Sequence, residues 1–118
     1  MKEKAELIKS GGETVLSNIL PIIDDFDRAL GTMKEVPEDD PAKIGFLLIF
    51  NKFKDFLKQH YVKEIEADST VFDVDLHFAL TKIPAPSEDM KGKVVDVIEK
   101  GYLLHDKVLR YAKVVVGE

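Results

Sequence analysis

The spacing of the apolar residues changes once along this 118-residue chain, near residue 60. Up to His60 they recur every three or four positions, as on one face of a helix. From Tyr61 onward they alternate with polar residues and are rich in β-branched types. Helices that precede strands are typical of segregated architectures, not of alternating βαβ units. The sequence therefore predicts an α+β fold, with a helical dimerisation region over residues 1–60 and a small all-β domain over residues 61–118.

The first helix is predicted over residues 1–30, where the apolar residues form one broad stripe. Two sites in its interior destabilise this helix. Each glycine of the pair Gly11–Gly12 costs about 1 kcal/mol relative to alanine, and Pro21 removes one backbone hydrogen bond. Because the stripe continues across both sites, we expect one kinked helix. Gly31 is expected to cap its end, and an acidic linker is expected over residues 31–41.

A second helix is predicted from Pro41 to about His60, with Asp40 as its N-cap. The run Phe46–Phe50 is apolar around the whole circumference, and a helix of that kind is buried on more than one side. The chain offers one other substantial helix to cover it. The pattern therefore favours a homodimer in which two helical hairpins form a four-helix bundle. The alternative is that the small β domain folds over the exposed side.

The predicted dimer interface combines the apolar stripe of the first helix with the most apolar segment of the second. Its members are Val15, Ile19, Ile22, Ile23, Phe26, Leu30, Phe46, Ile49, Phe50 and Phe53. They recur at the spacing of a helix face that packs against other helices.

Four strands are predicted in the second half of the chain. They are Val62–Ile65, Ala79–Ile83, Val94–Leu104 and Val108–Val116. Turns are expected at Ala67–Ser69, Pro84–Ser87 and His105–Asp106, and Gly101 inside the third strand indicates a bulge. The last two strands then form a hairpin with basic residues near its tip, which suits contact with another protein.

The composition argues against several classes of protein. The net charge of -5 disfavours nucleic acid as a partner, because phosphate neutralisation needs clustered cations. The absence of cysteine excludes a disulfide scaffold, a thiolate nucleophile and a cysteine-ligated zinc site. The charged N-terminus lacks the apolar core of a signal peptide, and no apolar run is long enough for a bilayer. A cytoplasmic protein without membrane contact is therefore expected.

The sequence contains no pattern that favours catalysis, a metal site or a cofactor. None of His60, His77 and His105 lies four residues from another, so a histidine metal site is not expected. Asp73 and Asp75 precede His77 closely enough for an acid–base couple. An aspartate that stabilises a turn through backbone N–H groups is the stronger interpretation, because no nucleophile is near. No catalytic residue, metal or cofactor is therefore predicted.

A series of short motifs in the second half stands in a specific order. They are Phe72-Asp73, His77, Ala79, Gly101-Tyr102, His105–Arg110 and Ala112–Val114. Together they resemble the signature of the GrpE family. In the first half, Leu20–Leu30 resembles the end of that family's long helix, and Gly45 stands where its second bundle helix opens with glycine. The resemblance covers nearly the whole chain.

The resemblance implies a homodimeric nucleotide exchange factor for DnaK-type chaperone ATPases, which is not an enzyme. In that family a small β wing enters the nucleotide-binding domain of the chaperone, opens its cleft and releases ADP. The implied partner-binding residues are Gly45, near the region that contacts the chaperone, and Lys107, a basic position facing it. The other signature positions, expected mainly to shape the wing, are Arg110, Gly101, Tyr102, Phe72, Asp73 and His77. The alternative function is a dimeric protein-binding scaffold without exchange activity.

The chain also departs from the family pattern. Leu47 and Phe78 stand where the family usually has Glu, Tyr61 where it usually has Gly, and Tyr111 where the residue is often Pro or small. Each change places a larger apolar group where partial exposure is expected. The chain begins at a point well inside the family's long helix, so most of that helix is expected to be absent.

Overall fold

The computed structural model describes the backbone of residues 2–118 and the side chains of residues 12–118. In this part of the chain two helices precede six strands, which confirms the predicted α+β class. The elements are α1 (Lys2–Thr32), α2 (Pro41–Gln59), β1 (Val62–Glu64), β2 (His77–Ile83), β3 (Val94–Glu99), β4 (Tyr102–Leu104), β5 (Lys107–Arg110) and β6 (Ala112–Gly117). The chain divides into two compact units, Met1–Tyr61 and Val62–Glu118. They are called the helical hairpin and the β domain below.

Helix α1 continues through Pro21, as the unbroken apolar stripe predicts. The predicted start at Met1 lies outside the described residues. The predicted cap at Gly31 is wrong, because Gly31 lies within the last turn of α1 and does not take the left-handed conformation of a capping glycine. The helix ends at Thr32, and the Met33 N–H donates to the Leu30 carbonyl at 3.0 Å.

The start of α2 is fixed by two side chains. The Asp40 carboxylate accepts a hydrogen bond from the Lys43 N–H at 3.0 Å, and Pro41 occupies the first turn, so the predicted cap is confirmed. Lys43 is itself buried, and its Nζ donates to the Val36 carbonyl at 2.9 Å and to the Glu38 carboxylate at 2.8 Å. The lysine thereby holds the acidic linker against the helix that follows it.

Helices α1 and α2 pack together around the ring of Phe26. Its centroid lies 4.9, 5.9 and 5.5 Å from three rings of α2, which are those of Phe46, Phe50 and Phe53. These three positions share one face of α2. Leu16, Leu20 and Ile23 share a face of α1 in the same way and are buried. Apolar burial and ring contacts of this kind stabilise a helix pair more than intrinsic helix propensity does.

The chain leaves α2 through a residue with an unfavourable backbone. Tyr61 has a φ of 63°, in the left-handed region, and its N–H donates to the Lys58 carbonyl at 3.1 Å. This conformation after a helix is usually taken by glycine, because any Cβ is crowded there. The side chain of Tyr61 is 67% exposed, as expected from the departure noted in the sequence.

The β domain contains two three-stranded sheets. In the first, β4 lies between β1 and β5 and is antiparallel to both. In the second, β6 is central, parallel to β2 and antiparallel to β3. The hydrophobic core lies mainly on the second sheet, where Val94, Ala112 and Val114 are fully buried.

Two predicted strands are wrong in their extent. The predicted strand Val94–Leu104 is β3 followed by β4, and the predicted strand Val108–Val116 is β5 followed by β6. In each case the chain passes from one sheet to the other without a long loop, so the apolar alternation continues across the break. Gly101 is not a bulge residue inside a strand, because it lies between β3 and β4.

Replacement of Phe26 with alanine is expected to lower the free energy of unfolding of the helical hairpin by about 3 kcal/mol, because three ring contacts are lost. Far-ultraviolet circular dichroism during guanidinium denaturation measures the change. The control is Phe56→Ala, since the Phe56 ring contacts His60 (centroids 4.4 Å apart) outside this cluster. An equal loss in both variants would contradict a core organised by Phe26.

Replacement of Tyr61 with glycine is expected to raise the free energy of unfolding by about 1 kcal/mol, because the left-handed conformation then carries no Cβ penalty. The same denaturation experiment measures it. Tyr61→Ala removes the ring and keeps the Cβ, so it is expected to give no such gain. A gain from alanine as large as that from glycine would show that the ring, not the backbone, is responsible.

Candidate partner-binding surface

Strands β4 and β5 form a short hairpin, residues 102–110, which is called the tip hairpin below. Leu104 pairs with Lys107 across the two-residue turn His105–Asp106, so the predicted turn is confirmed. His105 has a φ of 48°, which a tight turn between strands requires. Lys107 follows the turn directly and is exposed. The tip hairpin thus presents an exposed cation beside its turn.

Arg110 binds within its own domain through its whole guanidinium group. Its Nε and Nη2 donate to the Lys100 carbonyl at 2.9 and 2.5 Å. Its Cζ lies 5.4 Å from the centroid of the Tyr102 ring, and its Nη1 lies 3.8 Å from the Glu99 carboxylate. These contacts support the expectation that Arg110 and Tyr102 shape the domain.

Gly101 allows two segments of backbone to approach closely. A Cβ placed on it would lie 2.3 Å from the nitrogen of Ala112 and 2.8 Å from the carbonyl carbon of Tyr111. Real side chains do not make such contacts with backbone. The Gly101 carbonyl also accepts a hydrogen bond from the Ile65 N–H at 2.9 Å. The need for glycine at this position is therefore steric.

The motif from Phe72 to His77 forms a closed turn before β2. The ring of the buried His77 accepts a hydrogen bond at Nδ1 from the Asp73 backbone N–H (3.0 Å). The backbone N–H of His77 donates to the Asp73 carbonyl (2.8 Å). The Asp73 carboxylate accepts from the Asp75 N–H at 2.9 Å. These contacts support the turn interpretation over an acid–base couple.

The ring of His77 also packs on Phe72, with the centroids 5.8 Å apart. The β domain has a depression of about 260 Å³, which is lined by Glu64–Asp68, Asp96, Val97 and Lys100 and does not include His77. The interpretation of His77 as a catalytic residue therefore gains no support from this depression.

The cations near the tip hairpin have carboxylate partners. Lys100 lies 3.4 Å from Glu64, and Lys113 lies 3.5 Å from the same Glu99 that approaches Arg110. Sequence reasoning did not identify Glu99. The dipeptide Glu99-Lys100 directly before Gly101 is a local signal for a charged cluster at the break between strands.

Gly45 lies inside α2 and is half-buried. A Cβ added to it would meet nothing within 4 Å, so the packing of the described chain does not require glycine there. Ile44, Leu48 and Ile49, on the same helix, are 45, 64 and 51% exposed. The helical hairpin therefore presents uncovered apolar surface around Gly45.

The residues predicted for the dimer interface differ in burial within one chain. Ile23 and Phe50 are buried, whereas Val15, Ile22 and Ile49 are 58, 44 and 51% exposed. The other five are half-buried and are Ile19, Phe26, Leu30, Phe46 and Phe53.

Three of the four unusual residues are exposed: Tyr61, Phe78 and Tyr111, at 67, 57 and 48%. Leu47 is half-buried.

Among residues 2–118, no helix has both the length and the apolar content needed to cross a membrane. Across the described side chains, no group of three or more His, Asp or Glu residues is arranged to hold a metal ion.

Comparison with known proteins gives matches along the whole chain. The model of the family described as GrpE matches residues 1–118. Proteins named Protein GrpE from Bacteroides thetaiotaomicron and Parabacteroides distasonis are 53% and 54% identical over 118 residues. That from Lactiplantibacillus plantarum is 37% identical over 121 residues, covering 99% of this chain and 59% of the relative. The chain spans 61% of the length of the first two relatives.

A pair of glycine variants tests the steric account of Gly101. Gly101→Ala is expected to lower the free energy of unfolding by about 3 kcal/mol, because backbone atoms cannot yield to the added Cβ. Gly45→Ala is expected to raise it by about 1 kcal/mol, because the site is open and helical. Chemical denaturation measures both. A tolerated alanine at Gly101 would contradict the close backbone contact.

Proposed function

The chain belongs to the GrpE family, and from this premise we propose that it is a nucleotide exchange factor for a DnaK-type chaperone. It binds the nucleotide-binding domain of the chaperone, favours the open cleft and accelerates ADP release. The observation that carries the proposal is the family match over the whole chain, together with a fold of two helices followed by a β domain. GrpE proteins are co-chaperones, so no covalent chemistry is proposed.

The exchange step follows from binding linkage. If the factor binds the open cleft more tightly than the closed one, it shifts the chaperone toward the open state. ADP binds the closed cleft more tightly, so the factor and ADP weaken each other by the same factor at equilibrium. No group on this chain has to contact the nucleotide.

The tip hairpin supports a role in contacting the chaperone. Lys107 is exposed beside a tight turn whose geometry is fixed by pairing of β4 with β5. An exposed cation on a rigid support suits an acidic protein surface, because it accelerates encounter and sets orientation. The signature residues Arg110, Gly101 and Tyr102 lie at the end of the hairpin away from the turn, and they form contacts within the domain.

The exposed apolar face of the helical hairpin supports assembly with a second copy of the chain. Val15 and Ile22 on α1 and Ile49 on α2 remain exposed after the hairpin has formed its own core. Exposed apolar residues mark a contact site when they form a contiguous patch. Gly45 lies in the same helical unit and allows close approach of a partner backbone, which we propose to be the chaperone.

The proposed function predicts binding that depends on the nucleotide state of the chaperone. We expect the dissociation constant for the nucleotide-free chaperone to be at least about tenfold lower than for the ADP-bound chaperone. Isothermal titration calorimetry in both states measures it. Equal affinities would support the alternative, a dimeric scaffold that binds the chaperone without exchanging its nucleotide.

Charge reversal at Lys107 is expected to weaken chaperone binding about tenfold, because a favourable contact becomes repulsive. The thermal midpoint of the Lys107→Glu variant is expected to equal that of the unmodified chain, because Lys107 is exposed. The control is Lys91→Glu, since Lys91 is a 57% exposed side chain of the same domain whose salt-bridge partner is Glu88. An equal effect of both variants on binding would show that net charge is responsible, and would contradict a specific contact at Lys107.

A further inference from the structure

The chain crosses between the two sheets of the β domain twice, and the two crossings touch. The first is Lys100–Gly101, between β3 and β4, and the second is Tyr111, between β5 and β6. The space that a Cβ on Gly101 would occupy is taken by the backbone of Tyr111 and Ala112. The tip hairpin therefore joins the second sheet through two adjacent segments of backbone.

Two hydrogen bonds from Arg110 connect the end of β5, directly before the second crossing, to the first crossing. Arg110 is the last residue of β5, and both its Nε and its Nη2 donate to the Lys100 carbonyl in the first crossing. The guanidinium lies over the Tyr102 ring at the start of β4 and approaches Glu99 at the end of β3. From its place on β5, this one side chain thus contacts β3, β4 and the first crossing.

The geometry requires arginine in particular. A planar guanidinium presents several N–H groups in a fixed fork and stacks on aromatic rings, whereas a lysine offers one compact ammonium. The Arg110 side chain is 18% exposed, so solvent screens these contacts less than those of a surface cation. Of the strands in the first sheet, β1 and β4 have only three residues each, and their pairing alone gives the tip hairpin limited support.

We propose that Arg110 is a positioning residue that fixes the angle of the tip hairpin relative to the second sheet, and so the place of Lys107. The functional consequence rests on the proposed exchange activity. A hairpin held at one angle fits the open cleft and not the closed one. A hairpin that pivots conforms to both clefts, and a factor that binds both states equally shifts neither.

Variation in this angle changes the distance between a label on the turn and a label on the second sheet, which pulsed electron spin resonance measures. The chain has no cysteine, so Asp106→Cys at the turn and Lys82→Cys on β2 introduce two unique label sites. Labelled protein is diluted with unlabelled protein so that only distances within one chain are observed. We expect one narrow distance distribution, which broadens at least about twofold in Arg110→Met because the fixed fork is lost.

The matched control is Lys91→Met, which removes one cation from the same domain outside the crossings. It is expected to leave the distribution narrow. Arg110→Lys keeps the charge and removes the fork, so it is expected to broaden the distribution also, and it replaces Arg110→Met if that variant fails to fold. An unchanged width in a folded Arg110 variant overturns the proposal.

The second measurement is the ratio of dissociation constants for the ADP-bound and nucleotide-free chaperone. In Arg110→Met this ratio is expected to fall about tenfold toward unity through weaker binding of the nucleotide-free state, while binding of the ADP-bound state is retained. A purely structural role would weaken both states alike, and that outcome overturns the functional consequence. If the two dissociation constants of the unmodified chain are equal, the exchange proposal fails. The distance distribution still decides whether Arg110 positions the hairpin.

Discussion

The β domain depends on one close contact between two segments of backbone. At Gly101 the chain passes from β3 to β4 against the segment that passes from β5 to β6, at a distance that leaves no room for a side chain. The contact lies where the chain passes between the two sheets, at the point where the tip hairpin begins and ends. Arg110 reinforces it through the Lys100 carbonyl. Lys107 lies at the other end of that hairpin, beside its turn.

Sequence patterns correctly predict those structural elements that depend on interactions between neighbouring residues. The Asp40-Pro41 cap, the extent of α2 and the His105–Asp106 turn each depend on a few neighbouring residues, and all are confirmed. The sheet crossings were missed because they depend on tertiary contacts: apolar alternation is the same whether a strand continues in one sheet or enters the next. The cap at Gly31 was wrong because glycine within a helix end does not by itself determine where the helix stops.

In the candidate site, too, some features follow from the sequence and others only from the structure. Resemblance to the GrpE family singled out the signature residues, and it separated Lys107 and Gly45, as contact residues, from residues that shape the domain. What each shaping residue does required the structure. His77 closes a turn through Nδ1, Gly101 is needed for space, and Arg110 binds a carbonyl ten residues earlier in the chain. None of these three relations has a sequence spacing that distinguishes it from alternatives, because each depends on where the sheets bring the backbone.

The most direct test of the account is the rate at which ADP leaves the chaperone. A DnaK-type chaperone loaded with fluorescent ADP is mixed with excess unlabelled nucleotide in a stopped-flow instrument, with increasing concentrations of this chain. The account predicts a release rate that rises and then saturates, since the chain binds and stabilises the open cleft. A release rate that is unchanged, while calorimetry shows that the folded chain binds the chaperone, would contradict it.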